Sequence, residues 1–144
     1  MPELHAIIPG RPVPAARPRV TRYGTYIPKR QQEYMEIVRS SLAVAMRSQR
    51  CEIARTGVPV ELEVSAHIPW PKGTRKSDAG TIVPLAGRPD SDNCLKTGMD
   101  AAIGVVYEDD AQVWRVTVEK WRVPRGSEKL VIRAVWVDEG ERQA

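Results

Sequence analysis

The sequence is short of the residues that would make it a disulfide-stapled, zinc-binding or membrane-spanning protein. It has 2 cysteines, Cys51 and Cys94, and 2 histidines, His5 and His67. Two thiols are too few for a disulfide framework, and two imidazoles beside them form no spaced zinc pattern, so free thiols and no zinc are expected. No apolar run approaches the roughly 20 residues that a bilayer span needs, and Met1-Pro2-Glu3-Leu4 lacks the basic-then-apolar layout of a secretory leader. A soluble, cytoplasmic protein with no membrane partner is therefore the expectation. A Gly-rich phosphate loop is missing too, which argues against a nucleotide cofactor. Acidic residues are absent between Glu3 and Glu33, where Arg11, Arg17, Arg19, Arg22, Lys29 and Arg30 all fall.

What is present leans towards an anionic partner. The net charge is +4 and the pI near 9.3. A second basic stretch, Lys72, Arg75, Lys76 and Arg88, has only Asp78 as a counter-charge. Two basic stretches and one acidic cluster are a distribution that points beyond solubility, although exposed Lys and Arg are common on any surface. With 144 residues the chain has the size of one domain, residues 1–144, with a single core.

Periodicity divides that domain. Leu4 to Ile8 reads as a first strand stopped by Pro9-Gly10. Residues 10–28 carry prolines interleaved with arginines, so they read as an extended arm or loop, neither helix nor central strand. Tyr23 and Tyr26 lie in that arm, either to stack on unpaired bases or to pack the arm onto the core. Lys29 to Gln49 has no Gly or Pro, and Tyr34, Ile37, Val38, Leu42, Ala45 and Met46 recur at helical spacing, which predicts an amphipathic helix. From Val58 the pattern alternates strictly, with Val60, Leu62, Val64, Ala66 and Ile68 inward and His67 on the outer side, in a structural role. Residues 70–88 read as a long basic loop with room for a small hairpin. A second helix follows to Gly104, then strands from Gln112 to Val123 and from Leu130 to Trp136, and a polar tail from Asp138. The order β, α, β, α, β, β predicts an α+β domain, a mixed or antiparallel sheet with two helices packed on one face.

The chemistry-bearing stretch is Arg88-Pro89-Asp90-Ser91-Asp92-Asn93-Cys94-Leu95-Lys96, with Asp109-Asp110 further on. In an extended segment Asp90 and Asp92 point the same way, and Lys96 and Asp100 follow Asp92 along one helical stripe. Magnesium takes such oxygen ligands together with substrate phosphates, and phosphodiester hydrolysis uses the activated water that results. Lys96 would be a point charge for the phosphate or the leaving oxygen. The competing reading is structural: Asp92 as a helix N-cap worth about 1 kcal/mol, Asp92–Lys96 as an ion pair worth about 0.3–0.5 kcal/mol, and Asp109-Asp110 as turn residues. Spacing alone leaves the two level.

The same string resembles the RusA family of Holliday junction resolvases, metal-dependent endonucleases of bacteria and prophages. In that family an Asp-x-Asp-Asn-x-x-Lys segment precedes a helix with Asp-Ala and then Asp-Asp-Ala-Gln-Val. Here these are Asp90 to Lys96, Asp100-Ala101 and Asp109-Asp110-Ala111-Gln112-Val113, over about 25 residues. The resemblance implies that Asp90, Asp92 and Asp110 hold magnesium, with manganese as the alternative ion, and that Lys96 is the catalytic lysine. Asn93 and Asp100 would support the site, and Asp109 is the lesser member of its pair. It implies a homodimer acting on four-way or branched DNA, since cutting two opposed strands symmetrically calls for two sites about a two-fold axis. Arg11, Arg17, Arg19, Arg22, Lys72, Arg75, Lys76 and Arg88 are then the candidate DNA-binding residues. The alternatives are a non-catalytic branched or single-stranded DNA-binding protein with a structural acidic cluster, and a phosphodiesterase for RNA or small molecules.

Overall fold

Strict alternation in the sequence becomes one half-buried sheet. The computed structural model describes residues 2–15 and 19–137, with backbone alone for residues 19–21, 25 and 26. Its strands are β1 (Glu3–Pro9), β2 (Arg19–Thr21), β3 (Gly24–Tyr26), β4 (Val60–Pro69), β5 (Val83–Pro84), β6 (Val113–Val123) and β7 (Lys129–Trp136). Its helices are α1 (Lys29–Ser48), the short α2 (Lys76–Ala79) and α3 (Ser91–Ala102). The main sheet has 5 strands in the order β1-β7-β4-β6-β5. Only β4 and β6 pair in parallel, so the expected mixed sheet is observed. A parallel pair needs a crossover connection, and α3 supplies it.

One face of the sheet carries Leu4, Ile8, Val60, Leu62, Val64, Leu130 and Ile132, all buried. Residues Tyr34, Val38, Leu42 and Met46 of α1, and Cys94, Ala101 and Ala102 of α3, close the same core. Ile37, expected on the buried face of α1, is instead 54% exposed. The opposite face of the sheet is mixed, with Glu61, Glu63, Ser65 and Arg133 beside Ile7, Val131 and Val135. There His67 accepts or donates a hydrogen bond with Ser65 (3.1 Å), and burial lowers its pKa from the ordinary histidine value.

Two segments read as loops contain short elements. Residues 10–28 hold the β2–β3 hairpin, and residues 70–88 hold α2 and β5, the latter joining the sheet beside β6. The polar tail from Asp138 lies outside the described residues. No helix among the described residues is long and apolar enough to cross a membrane.

Candidate active site

Helix α3 sets out directly from the acidic segment. Asp90, in extended conformation (φ −68°, ψ 147°), occupies the N-cap position, yet its side chain makes no capping hydrogen bond. Asp92 lies in the first turn and is exposed. It does not pair with Lys96, whose ammonium lies 3.2 Å from Asp100 instead. The structural roles open to Asp92, capping and an ion pair with Lys96, are thus unfilled. Both aspartates remain uncommitted among the described residues, at a helix N-terminus whose dipole favours negative charge.

Neighbouring residues fix the approach to this corner. Lys120, on β6, donates through Nζ to the carbonyls of Gly87 (2.6 Å) and Pro89 (2.9 Å). These residues flank Arg88, whose peptide bond to Pro89 is cis. Asn93 and Thr97 anchor the arm, since Ala15 N–H donates to Asn93 C=O (3.1 Å) and the Thr97 hydroxyl donates to Val13 C=O (3.3 Å). Beneath them Cys94 is a buried free thiol. Burial, and then the charges of Asp92 and Asp90, push its pKa up against the opposing effect of Lys120. At the other end of α3, which has no basic residue of its own in its last turn, Arg39 of α1 donates to the carbonyls of Asp100 (3.3 Å) and Ala101 (3.4 Å). It thereby satisfies acceptors left open at the helix end.

The second acidic segment separates its two aspartates. Residues Asp110–Gln112 form one 3-10 turn. Asp109 caps it, accepting from Ala111 N–H (2.9 Å), while the Gln112 side-chain oxygen accepts from Asp109 N–H (3.0 Å) and Glu108 N–H (2.9 Å). The Gln112 amide then donates to the carbonyls of Ala54, Arg55 and Val58. Asp109 and Gln112 are therefore occupied in building the turn. The Asp110 carboxylate is exposed and has no hydrogen-bond or ion-pair partner among the described residues, while its backbone carbonyl accepts from Val113 N–H.

Asp110 does not lie beside Asp90 and Asp92 in the same chain. It precedes the start of β6, which pairs with the start of β4 (Val113 with Val60), whereas Asp90 shares a cleft with Ile68, Pro69 and Trp70 at the end of β4. Tyr107 bonds to the Met99 carbonyl (2.7 Å) near the end of α3. Burial raises the pKa of its phenol, and the charges of Asp110 and Asp100 add to the shift. The 12 residues of α3, a length of about 18 Å, separate the two acidic groups. Accordingly, no three acidic, histidine or cysteine side chains converge on one point among the described residues.

Beside Asp90 opens a cleft of about 1010 Å³ whose charged lining is Arg11, Arg30, Lys72, Arg88, Arg122 and Arg125, with Asp90 as the one acid. Arg122 and Arg125 spend one nitrogen each on the carbonyls of Pro69 (3.0 Å) and Trp70 (3.2 Å). Of the candidate DNA-binding residues, Arg11, Lys72 and Arg88 line this cleft together. Arg75 and Lys76 open α2 and do not line the cleft. Arg22 lies over the Tyr23 ring (5.0 Å) on the β2–β3 turn, where Tyr23 is 86% exposed and so does not pack the arm onto the core. Arg17 and the Arg19 side chain lie outside the described residues.

Comparison with protein families matches residues 9–133 to the family described as "Endodeoxyribonuclease RusA". The chain belongs to the RusA endodeoxyribonuclease family. It is also 29% identical over 133 residues to the "Uncharacterized protein YqaN" of Bacillus subtilis (strain 168), covering 88% of this chain and 92% of that protein. Within this RusA-family chain, four residues of the site escaped the reading of the sequence. Arg122 and Arg125 sit far in sequence from both basic stretches, Arg30 lies in the first of them but is not singled out there as a DNA contact, and Lys120 falls within a strand pattern that marks it only as polar. The lone signal for Arg122 and Arg125 was their place beside the Pro124 turn.

Proposed function

We propose that this chain is a magnesium-dependent, structure-selective endonuclease that resolves Holliday junctions or related branched DNA as a homodimer. The observation that carries the reading is the pairing of two uncommitted carboxylates, Asp90 and Asp92, with a cleft of six cations opening at Asp90. Exposed carboxylate oxygens with no structural task fit a hard divalent ion, which needs only one or two of them beside waters and phosphate. When bound, the ion supplies Lewis acidity towards a phosphate oxygen and a more acidic water as nucleophile.

Asp90 and Asp92 would hold the ion at the head of α3. Guanidinium groups of Arg11, Arg88 and their neighbours grip backbone phosphates and set the register of the DNA, without reading bases. Lys96, more than half exposed and tied only to Asp100, presents its ammonium towards the charge that develops on the leaving oxygen. Asp110 joins the other two only from a second copy of the chain, which agrees with a homodimer. The binding-protein alternative needs structural partners for the acidic cluster. Asp109 and Asp100 have them, while Asp90, Asp92 and Asp110 do not.

The test is cleavage of matched four-way junction, fork and linear duplex DNA, with a branched RNA control, in the presence and absence of magnesium. Ion-dependent cutting of the branched DNA alone is expected. Binding without cutting under every condition would overturn the nuclease reading, and preferential cutting of RNA would redirect it.

A further inference from the structure

Among the described residues, the β2–β3 hairpin pairs only within itself and joins no strand of the main sheet. Thr21 pairs with Gly24, so Arg22 and Tyr23 form its tip. Gly24 takes the positive φ of the turn (127°) and neither tip residue does, so the turn itself makes no demand for an aromatic ring. Tyr23 is nevertheless placed there, 86% exposed, the highest exposure of any large hydrophobic side chain among the described residues. The Arg22 guanidinium lies 5.0 Å from the ring centroid and donates through Nη2 to the Tyr23 hydroxyl (2.8 Å). The ring is thus steadied by a cation while most of its surface stays in solvent.

Both feet of the hairpin stand beside the acidic corner and the basic cleft. On the way in, Val13 and Ala15 bond to Thr97 and Asn93 at the head of α3. On the way out, Ile27 C=O accepts from the Gln32 side-chain amide (2.6 Å), Pro28 is the N-cap of α1, and Arg30 lines the cleft. At most about 17 Å of extended chain separates Tyr23 from Pro28. That reach equals about five nucleotide steps of a strand held in the cleft. Between Glu3 and Glu33 no acidic residue opposes such a strand.

We propose that Tyr23 stacks on the base exposed at the branch point of the DNA, and that this contact selects branched over linear substrate. This rests on the branched-DNA reading above and names the residue that recognises the branch. In a linear duplex every base is covered on both faces by its neighbours, whereas at a branch the stack is interrupted and a base face is open to a ring. Stacking on an aromatic side chain tolerates any sequence, since every base has a π face. It supplies what the cations of the cleft lack, because linear and branched DNA offer them the same phosphates. Arg22 holds the ring from behind and sets a positive charge beside the stacked nucleotide.

The experiment is fluorescence anisotropy of the full chain on a four-way junction and on a linear duplex of the same arm sequence, without magnesium. The proteins are the wild type, Tyr23→Phe and Tyr23→Ser, with circular dichroism as the folding control. A fluorescent adenine analogue at the branch point of a second junction reports stacking directly. Tyr23→Ser is expected to lower the junction-over-duplex affinity ratio by roughly 5- to 100-fold and to diminish the change in analogue emission on binding. Tyr23→Phe keeps the ring and loses only the hydroxyl, so it should retain both. A wild type without preference for the junction overturns the branched-DNA reading and this inference together. Where the wild type does prefer the junction, an unchanged ratio or unchanged emission response in Tyr23→Ser overturns the role of Tyr23 alone, as does loss of the ratio in Tyr23→Phe.

Discussion

Asp109 and Asp110 are neighbours in the chain with opposite tasks. Asp109 caps a 3-10 turn that Gln112 ties to the segment before β4, and this leaves Asp110 pointing to solvent. The sequence offers the acidic pair but not the division between its members, because that depends on the backbone angles of the turn. Asp92 carries the same lesson. A cap and an ion pair explained it as well as a metal did, and only the observed Lys96–Asp100 pairing removes one of those explanations. Lys120 makes the sharpest prediction at this scale. Its ammonium holds the carbonyls on both sides of Arg88, so Lys120→Met should slow junction cleavage by roughly 10- to 100-fold through misplacement of the carboxylates. Junction affinity and melting temperature should change little, and Lys120→Arg should recover part of the rate. Cleavage at the wild-type rate in Lys120→Met would remove Lys120 from the positioning of the site.

Helix α3 holds the site because it lies close on the sheet. A Cβ built at Gly98 would stand 3.0 Å from Val64 Cγ2 and 3.6 Å from Ile132 Cδ1, so the missing side chain is what allows this approach. Gly98→Val should therefore destabilise the fold by about 1–3 kcal/mol by overpacking, read as a lower midpoint in urea unfolding. An unchanged midpoint would show that the helix has slack above β4. The long elements were legible in the sequence because each has its own periodicity: β4 alternates and α1 repeats at three and four. Ile37 fits the repeat of α1 but lies beyond the edge of the core. The β2–β3 hairpin and β5 were not legible, since strands of 3 and 2 residues are defined by their partners and carry no pattern of their own.

At the scale of the whole molecule, the cleft is assembled from the arm, the start of α1, the segment after β4, the approach to α3 and the end of β6. Its basic character was legible where cations cluster in sequence, as at Lys72 and Arg88. It was hidden where single residues such as Arg122 and Arg125 are gathered only by the fold. The separation of Asp110 from Asp90 was equally out of reach, because it follows from the parallel pairing of β4 and β6, which puts the two ends of α3 at opposite ends of the sheet. In the proposed function the cations bind and the carboxylates cut, and one substitution separates the two. Four-way junction binding and magnesium-dependent cleavage are to be measured side by side for the wild type and Asp92→Asn. Loss of cleavage by at least about 100-fold is expected, with affinity unchanged or tighter because a charge that repels phosphate is gone. Cleavage at the wild-type rate by Asp92→Asn would contradict the account.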